Sequence, residues 1–169
     1  PRSTPLYSSA ASDVYKRQVG IISVSDRAFN KVYQDEGIPE IEKIFSNLNT
    51  FRILKKIIIP DEKETIKANL IELSDKDKLD IIITTGGTGP SSRDVTPDAT
   101  LEVIDKEYPG FGEYMRLESL KYSKNAILSR QTAGARSKSL ILNLPGNPKS
   151  ISELLPNLIN QLEHFIEKR

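Results

Sequence analysis

The segment Ile81-Ile82-Ile83-Thr84-Thr85-Gly86-Gly87-Thr88-Gly89 constrains this chain more than any other. A continuous apolar, β-branched run of this length predicts a strand buried on both faces, as in a parallel sheet. The glycines that end it permit a backbone path closed to larger residues and let a ligand approach closely. Shortly afterwards, Thr96-Pro97-Asp98 predicts a helix start: an N-cap, a proline at the first helical position and an acid in the first turn. Strand, glycine loop and helix start in that order form the usual place for a phosphate in an open α/β sheet. The segment has neither the lysine of a Walker loop nor the Gly-x-Gly-x-x-Gly spacing of a dinucleotide fold. A tight structural turn therefore stays open as the competing explanation.

The flanking chain supplies the rest of such a sheet. Residues 19–24 predict a first central strand, with Ser25-Asp26-Arg27 at its carboxyl end. Ile38, Ile41, Ile44, Phe45 and Leu48 recur at helical spacing around residues 35–47. Phe51–Ile59 predicts a second strand, and Ile66, Leu70 and Leu73 a second amphipathic helix. Beyond the glycine loop we expect a short helix over residues 99–106. A second should run over 111–122 after a break at Pro109-Gly110. Residues 126–130 and Ser139–Leu144 are β-like, with Gly134 expected in the turn between them. Asn147 can cap a last helix whose apolar stripe runs from Ile151 to Phe165, bent at Pro156. Alternating strands and helices predict a three-layer α/β/α domain with a mostly parallel central sheet, spanning residues 18–169. Residues 1–17 do not share this patterning, and we expect them to be an unstructured extension of non-native origin.

Composition excludes several function classes. The 24 basic residues nearly match the 23 acidic ones, so net charge makes no case for nucleic acid or a membrane surface. With no cysteine, disulfides and thiolate metal sites are excluded, and a reducing compartment fits.

Three groups of polar residues fall beside the glycine loop. Asp61-Glu62-Lys63-Glu64 reads first as a capping box with Asp61 as N-cap, although Asp61 follows a strand and so lies on the ligand side of the sheet. Asp94 has no such structural duty, because Thr96 is better placed to cap. A carboxylate near a phosphate loop implies a cation between them, and magnesium is commonly held by one or two carboxylates plus substrate phosphates. Asp61 and Asp94 would then form a platform for a magnesium nucleotide. Arg93 offers either phosphate neutralisation or a solvated charge, and Asp98 reads as a first-turn charge favoured by the helix dipole. Pro145-Gly146-Asn147-Pro148 stops a strand and gives the crevice a second rim. Lys149 reads as a solvated first-turn lysine, and His164 receives no chemistry.

Taken together, Ser23-Val24-Ser25-Asp26-Arg27, Gln34-Asp35-Glu36-Gly37-Ile38-Pro39, Ile59-Pro60-Asp61-Glu62, the long glycine-loop segment, Pro109-Gly110-Phe111-Gly112-Glu113, Leu128-Ser129-Arg130 and Asn143-Leu144-Pro145-Gly146-Asn147-Pro148 resemble the molybdopterin adenylyltransferase family, which includes the MogA, MoaB and gephyrin G-domain proteins. That resemblance implies a trimeric cytoplasmic enzyme of molybdenum cofactor synthesis. Such an enzyme uses ATP and Mg2+ to adenylylate the terminal phosphate of molybdopterin, releases pyrophosphate, and passes its product to a molybdate-inserting, MoeA-like partner. It implies that Asp61 and Asp94 are the essential aspartates and magnesium holders, which reverses the capping preference for Asp61. It further implies that Ser25, Gly86, Gly87, Thr88, Gly89, Ser129, Pro145, Gly146 and Asn147 line the nucleotide and pterin pockets. The alternatives are a member of the same fold that binds molybdopterin or serves as a scaffold without catalysis, and an unrelated doubly wound nucleotide-binding protein.

Overall fold

The computed structural model describes residues 16–169; the extension expected at the amino terminus lies outside them, apart from Lys16 and Arg17. Its strands are β1 (Arg17–Val24), β2 (Phe51–Ile59), β3 (Ile81–Thr85), β4 (Lys106–Glu107), β5 (Ala133–Arg136) and β6 (Ser139–Leu144). Its α-helices are α1 (Asp26–Phe29), α2 (Gly37–Ser46), α3 (Lys63–Ile71), α4 (Thr96–Val103), α5 (Pro109–Ser119), α6 (Pro148–Leu154) and α7 (Ile159–Lys168). The strands form one six-stranded sheet in the order β2-β1-β3-β6-β5-β4. β2, β1, β3 and β6 are parallel, and β5 and β4 are joined on by antiparallel pairing.

Strand parity sorts the side chains into two cores. Val19, Ile21, Ile81, Ile83, Leu140 and Leu142 pack against α2, α5, α6 and α7. Ile22, Val24, Ile82 and Ile141 pack on the opposite face against α3 and α4. Helices on both faces bury β3 along its whole length, and its three isoleucines are all fully buried. Each contributes roughly 1.5–3 kcal/mol relative to exposure, which offsets part of the cost of ordering the irregular loop beyond the strand, about 1–2 kcal/mol per residue. At one edge, β2 carries exposed Arg52, Lys55 and Lys56, and Leu54 is skipped in its pairing with β1.

One polar cluster ties both sides of the sheet junction together. Asn143, fully buried on β6, donates from Nδ2 to Thr84 Oγ1 on β3 (3.1 Å) and Thr100 Oγ1 on α4 (2.9 Å). Its own amide donates to the Thr132 carbonyl at 2.9 Å, beside β5.

Several local expectations fail for identifiable reasons. Residues 126–130 are not a strand: Lys124–Leu128 is a 3-10 turn capped by Ser123, whose side chain accepts from the Asn125 amide. The antiparallel partner of β6 is β5, so Gly134 sits within a strand, and the hairpin reverses at Ser137 with φ 53°. The helix expected over 99–106 ends at Val103, and Lys106–Glu107 pairs with β5 instead. Pro109 opens α5 rather than breaking it, because a first-turn proline loses no helical hydrogen bond. Pro156 interrupts the last helix, as expected, with the 3-10 turn Leu155–Leu158 between α6 and α7.

Replacing Asn143 with leucine should destabilise the fold by about 2–3 kcal/mol, because it strips the buried cluster of its central donor and adds volume to a packed site. Denaturant unfolding of N143L against the unmodified chain measures this directly.

Candidate active site

The four parallel strands all present their carboxyl ends to one crevice. β1 ends in Ser25 and Asp26, β2 in Asp61, β3 in Gly86 and β6 in Pro145-Gly146. From β1 the chain runs outward to β2, and from β3 it runs the other way toward β4, β5 and β6, so the connections diverge between β1 and β3, which is where open α/β sheets leave room for a ligand. A cavity of about 220 Å3 opens there, lined among others by Ser25, Asp35, Asp61, Gly86, Gly87, Asp94 and Gly146.

The glycines are required by close backbone contacts. Gly86 has φ 95°, and a Cβ there would sit 2.4 Å from the Val24 carbonyl oxygen. Gly87 has φ 68°, and its Cβ would meet Thr96 Oγ1 at 2.2 Å. The Gly86 amide is already spent on the Leu144 carbonyl (3.1 Å). The amides of Gly87, Thr88 and Gly89 have no acceptor among the described residues, so the phosphate-holding capacity expected of the loop falls on these three. Thr88 itself is buried, and its carbonyl accepts from the Arg130 amide at 2.8 Å. Thr96 does not cap α4. Its amide donates to the Gly87 carbonyl (3.1 Å), and its Oγ1 is buried with no partner among the described residues.

Asp61 is not the N-cap of α3 either; Glu62 occupies that position and makes no side-chain cap. Asp61 instead forms a reciprocal pair with Asp26. The Asp26 amide donates to Asp61 Oδ2 (2.8 Å), and the Asp61 amide donates to Asp26 Oδ1 (2.9 Å). Asp61 Oδ1 has no donor among the described residues and lies beside Gly87, 3.2 Å from where a Cβ would stand. Asp94 follows the same pattern: its Oδ2 accepts from the Ser91 amide (3.0 Å), while Oδ1 has no donor among the described residues. Burial pushes the Asp61 carboxyl above its ordinary value, and the Asp26 and Asp94 charges add to the rise. Asp26 moves the other way because Arg93 grips it, Nε to Oδ2 at 3.0 Å and Nη2 to Oδ1 at 2.9 Å.

A second arginine secures the loop from the far side. Arg130 donates to both carboxylate oxygens of Asp98 (3.1 and 2.9 Å) and to the Asp94 carbonyl (2.6 Å). Asp98 is therefore a fork partner as well as a first-turn charge. Arg130's neighbour Ser129, whose amide donates to the Ala126 carbonyl at 3.0 Å, lines with Gln131, Pro145, Asn147 and Glu153 a separate depression of about 200 Å3. The Pro145-Gly146-Asn147 turn divides the two hollows, held by Thr85 Oγ1 donating to the Pro145 carbonyl at 2.8 Å. Ser129 donates to Gln131 Oε1, and Ser25 caps α1 by accepting from the Ala28 amide (3.2 Å).

Of the expected residues, Ser25, Asp61, Gly86, Gly87, Asp94 and Gly146 line the first hollow and Ser129, Pro145 and Asn147 the second, while Thr88 and Gly89 line neither. Residue-level reading missed Asp35, which lines the first cavity while accepting from Ser23 Oγ (2.6 Å) and the Ile38 amide (2.9 Å). An aspartate three residues ahead of the first apolar helical position was the available signal. It also missed Gln131 and Glu153, which no local pattern marks.

Among the described residues no three His, Asp or Glu side chains form a ready-made metal cage. Two carboxylates with one free oxygen each do suit magnesium, which keeps waters and takes its remaining ligands from substrate phosphates.

Residues 20–164 match the family described as "Probable molybdopterin binding domain". The molybdopterin adenylyltransferase of Escherichia coli K12 is 54% identical over 139 residues, covering 82% of this chain and 71% of that protein. The protein of the same name from Helicobacter pylori is 46% identical over 151 residues, covering 88% and 85%. The crystal structure of the molybdopterin biosynthesis enzyme MoaB from Thermus thermophilus superposes with a TM-score of 0.82 at 39% identity, covering 89% of this chain and 97% of that one.

Gly87→Ala should cost at least about 2 kcal/mol of stability, combining left-handed strain with the clash at Thr96. Thermal melting of the variant against the unmodified chain reads this effect. Arg130 holds the Asp98 carboxyl below its ordinary value, so this group's stabilisation is complete above the usual carboxylate range and lost as pH falls through the depressed value. The stability difference between the unmodified chain and Asp98→Asn should shrink over that acidic window in a pH series of unfolding curves.

Proposed function

Because this chain belongs to the molybdopterin-binding domain family, we propose that it is a molybdopterin adenylyltransferase of molybdenum cofactor biosynthesis. It transfers AMP from ATP to the terminal phosphate of molybdopterin. A phosphate oxygen of molybdopterin attacks the α-phosphorus of ATP, the new phosphoanhydride forms, the bond to the β-phosphate breaks, and pyrophosphate leaves. The nucleophile is already anionic, so no strong general base is needed, and rate enhancement rests on alignment and charge neutralisation.

The observation that carries this reading is the matched pair of carboxylates. Asp61 follows β2 and Asp94 lies in the loop after β3; each has one oxygen held by a backbone amide and the other without a donor among the described residues, with Asp61 Oδ1 beside Gly87 and Asp94 Oδ2 beside Gly89. In the proposal these free oxygens hold Mg2+, whose charge offsets that of the triphosphate. The amides of Gly87, Thr88 and Gly89 hold phosphate oxygens, and the hollow at Ser129, Gln131 and Asn147 takes the pterin end. The Pro145-Gly146-Asn147 turn then lies between nucleotide and pterin, with the reacting phosphates meeting across it. By the same family reasoning the enzyme is a cytoplasmic homotrimer that hands its product to a molybdate-inserting, MoeA-like partner.

Pyrophosphate release from ATP, Mg2+ and molybdopterin tests the proposal. The unmodified chain should turn over, and Asp94→Asn should lower kcat by about 100-fold or more while molybdopterin affinity changes only a few-fold. Full activity in D94N would refute the role given to Asp94. Molybdopterin binding without pyrophosphate release by the unmodified chain would mark a non-catalytic binding protein.

A further inference from the structure

Asp26 and Arg93 do not line the cavity, yet each is joined directly to one of the two carboxylates that do. The Asp26 backbone amide occupies Asp61 Oδ2 and the Asp26 carboxylate accepts the Asp61 amide, so the ends of β1 and β2 are locked together. Arg93 is the covalent neighbour of Asp94, and its guanidinium reaches back across the crevice to grip both oxygens of Asp26. A single bidentate ion pair therefore spans from the loop that carries Asp94 to the strand end that holds Asp61.

Its stability value cannot explain this arrangement. The Arg93 side chain is 56% exposed and that of Asp26 32%, and a pair so open to water contributes little to folding. A planar fork on a carboxylate is nevertheless geometrically strict. What such a pair supplies here is a fixed separation between two groups on different segments.

We propose that the Arg93–Asp26 pair is a brace that sets the gap between Asp61 and Asp94, and through it the preference of the site for Mg2+ over larger divalent cations. The inference rests on reading Asp61 and Asp94 as the magnesium-holding pair. Mg2+ demands near-octahedral ligands at about 2.0–2.1 Å, whereas Ca2+ accepts about 2.3–2.6 Å and irregular geometry. A rigid gap favours the first ion, and a loosened one admits the second. Asp26 and Arg93 are thus positioning residues that touch no substrate.

The test is Mn2+ binding to the full chain with a non-hydrolysable ATP analogue, followed by electron paramagnetic resonance, with Mg2+ and Ca2+ as competitors. Asp26→Asn keeps an oxygen to accept the Asp61 amide but loses the charge that Arg93 grips; Arg93→Gln removes the fork. Each should lower the preference for Mg2+ over Ca2+ about tenfold, the usual size when a group orienting a metal ligand is lost. The double variant should be no worse than either single one, because both break the same contact. Arg93→Lys, which keeps the charge without the fork, should fall between. Melting temperatures should stay within a few degrees of the unmodified chain.

An unchanged preference in either single variant would overturn the brace. So would effects that multiply in the double variant, or an unmodified chain with no preference for Mg2+. A chain that binds the magnesium nucleotide with this preference but releases no pyrophosphate with molybdopterin would sink the adenylylation reading and leave the brace standing.

Discussion

The close passage of the glycine loop over the end of β1 is the constraint on which the site depends. Gly86 runs so near the Val24 carbonyl that no side chain fits, and its amide is tied to Leu144 on β6. These contacts bring three strand ends within reach of one loop and turn the Gly87, Thr88 and Gly89 amides outward from the sheet's own bonding. Thr96 and Arg130 hold that path by donating their amides to the Gly87 and Thr88 carbonyls. The loop is thus a fixed surface, and its rigidity comes from neighbouring strands rather than from its own composition.

Charge is arranged around that surface with a consistent logic. Carboxylates cluster where a polyanionic substrate would be repelled, and Asp26, Asp61 and Asp94 each have one oxygen bound to a backbone amide. Arg93 offsets Asp26, and Arg130 offsets Asp98, while Asp61 and Asp94 have no cation of their own among the described residues. Burial and the neighbouring charges raise the Asp61 carboxyl, a cost that a bound divalent cation would relieve.

Much of this was legible before any coordinates. The parallel strands, the glycine loop and the Asn147 cap follow from local chemistry: apolar β-branched runs, glycines at a strand end, and an amide side chain before Pro148. What failed were assignments that depend on partners distant in the chain. Residues 126–130 look β-like in isolation, but the position beside β6 belongs to β5. The Asp61 capping box is sound as a local pattern and loses to the Asp26 amide, 35 residues away. Asp98 and Arg130 form their fork across 32 residues, a pairing that no local spacing announces. Asp35 was readable as a helix cap but not as part of the cavity wall.

The outer strand β2 has a consequence unrelated to the crevice. A nine-residue edge with unpaired backbone groups is a template on which another chain can add a strand and begin to aggregate. Here it carries Arg52, Lys55 and Lys56 on its exposed positions, the last two drawn into ion pairs with Asp77 and Glu42, and the bulge at Leu54 breaks its regular repeat. A second copy docking edge to edge would bring like charges together along an uneven register. The opposite edge, β4, is only two residues long. The sheet thus ends in one irregular, charged border and one too short to copy.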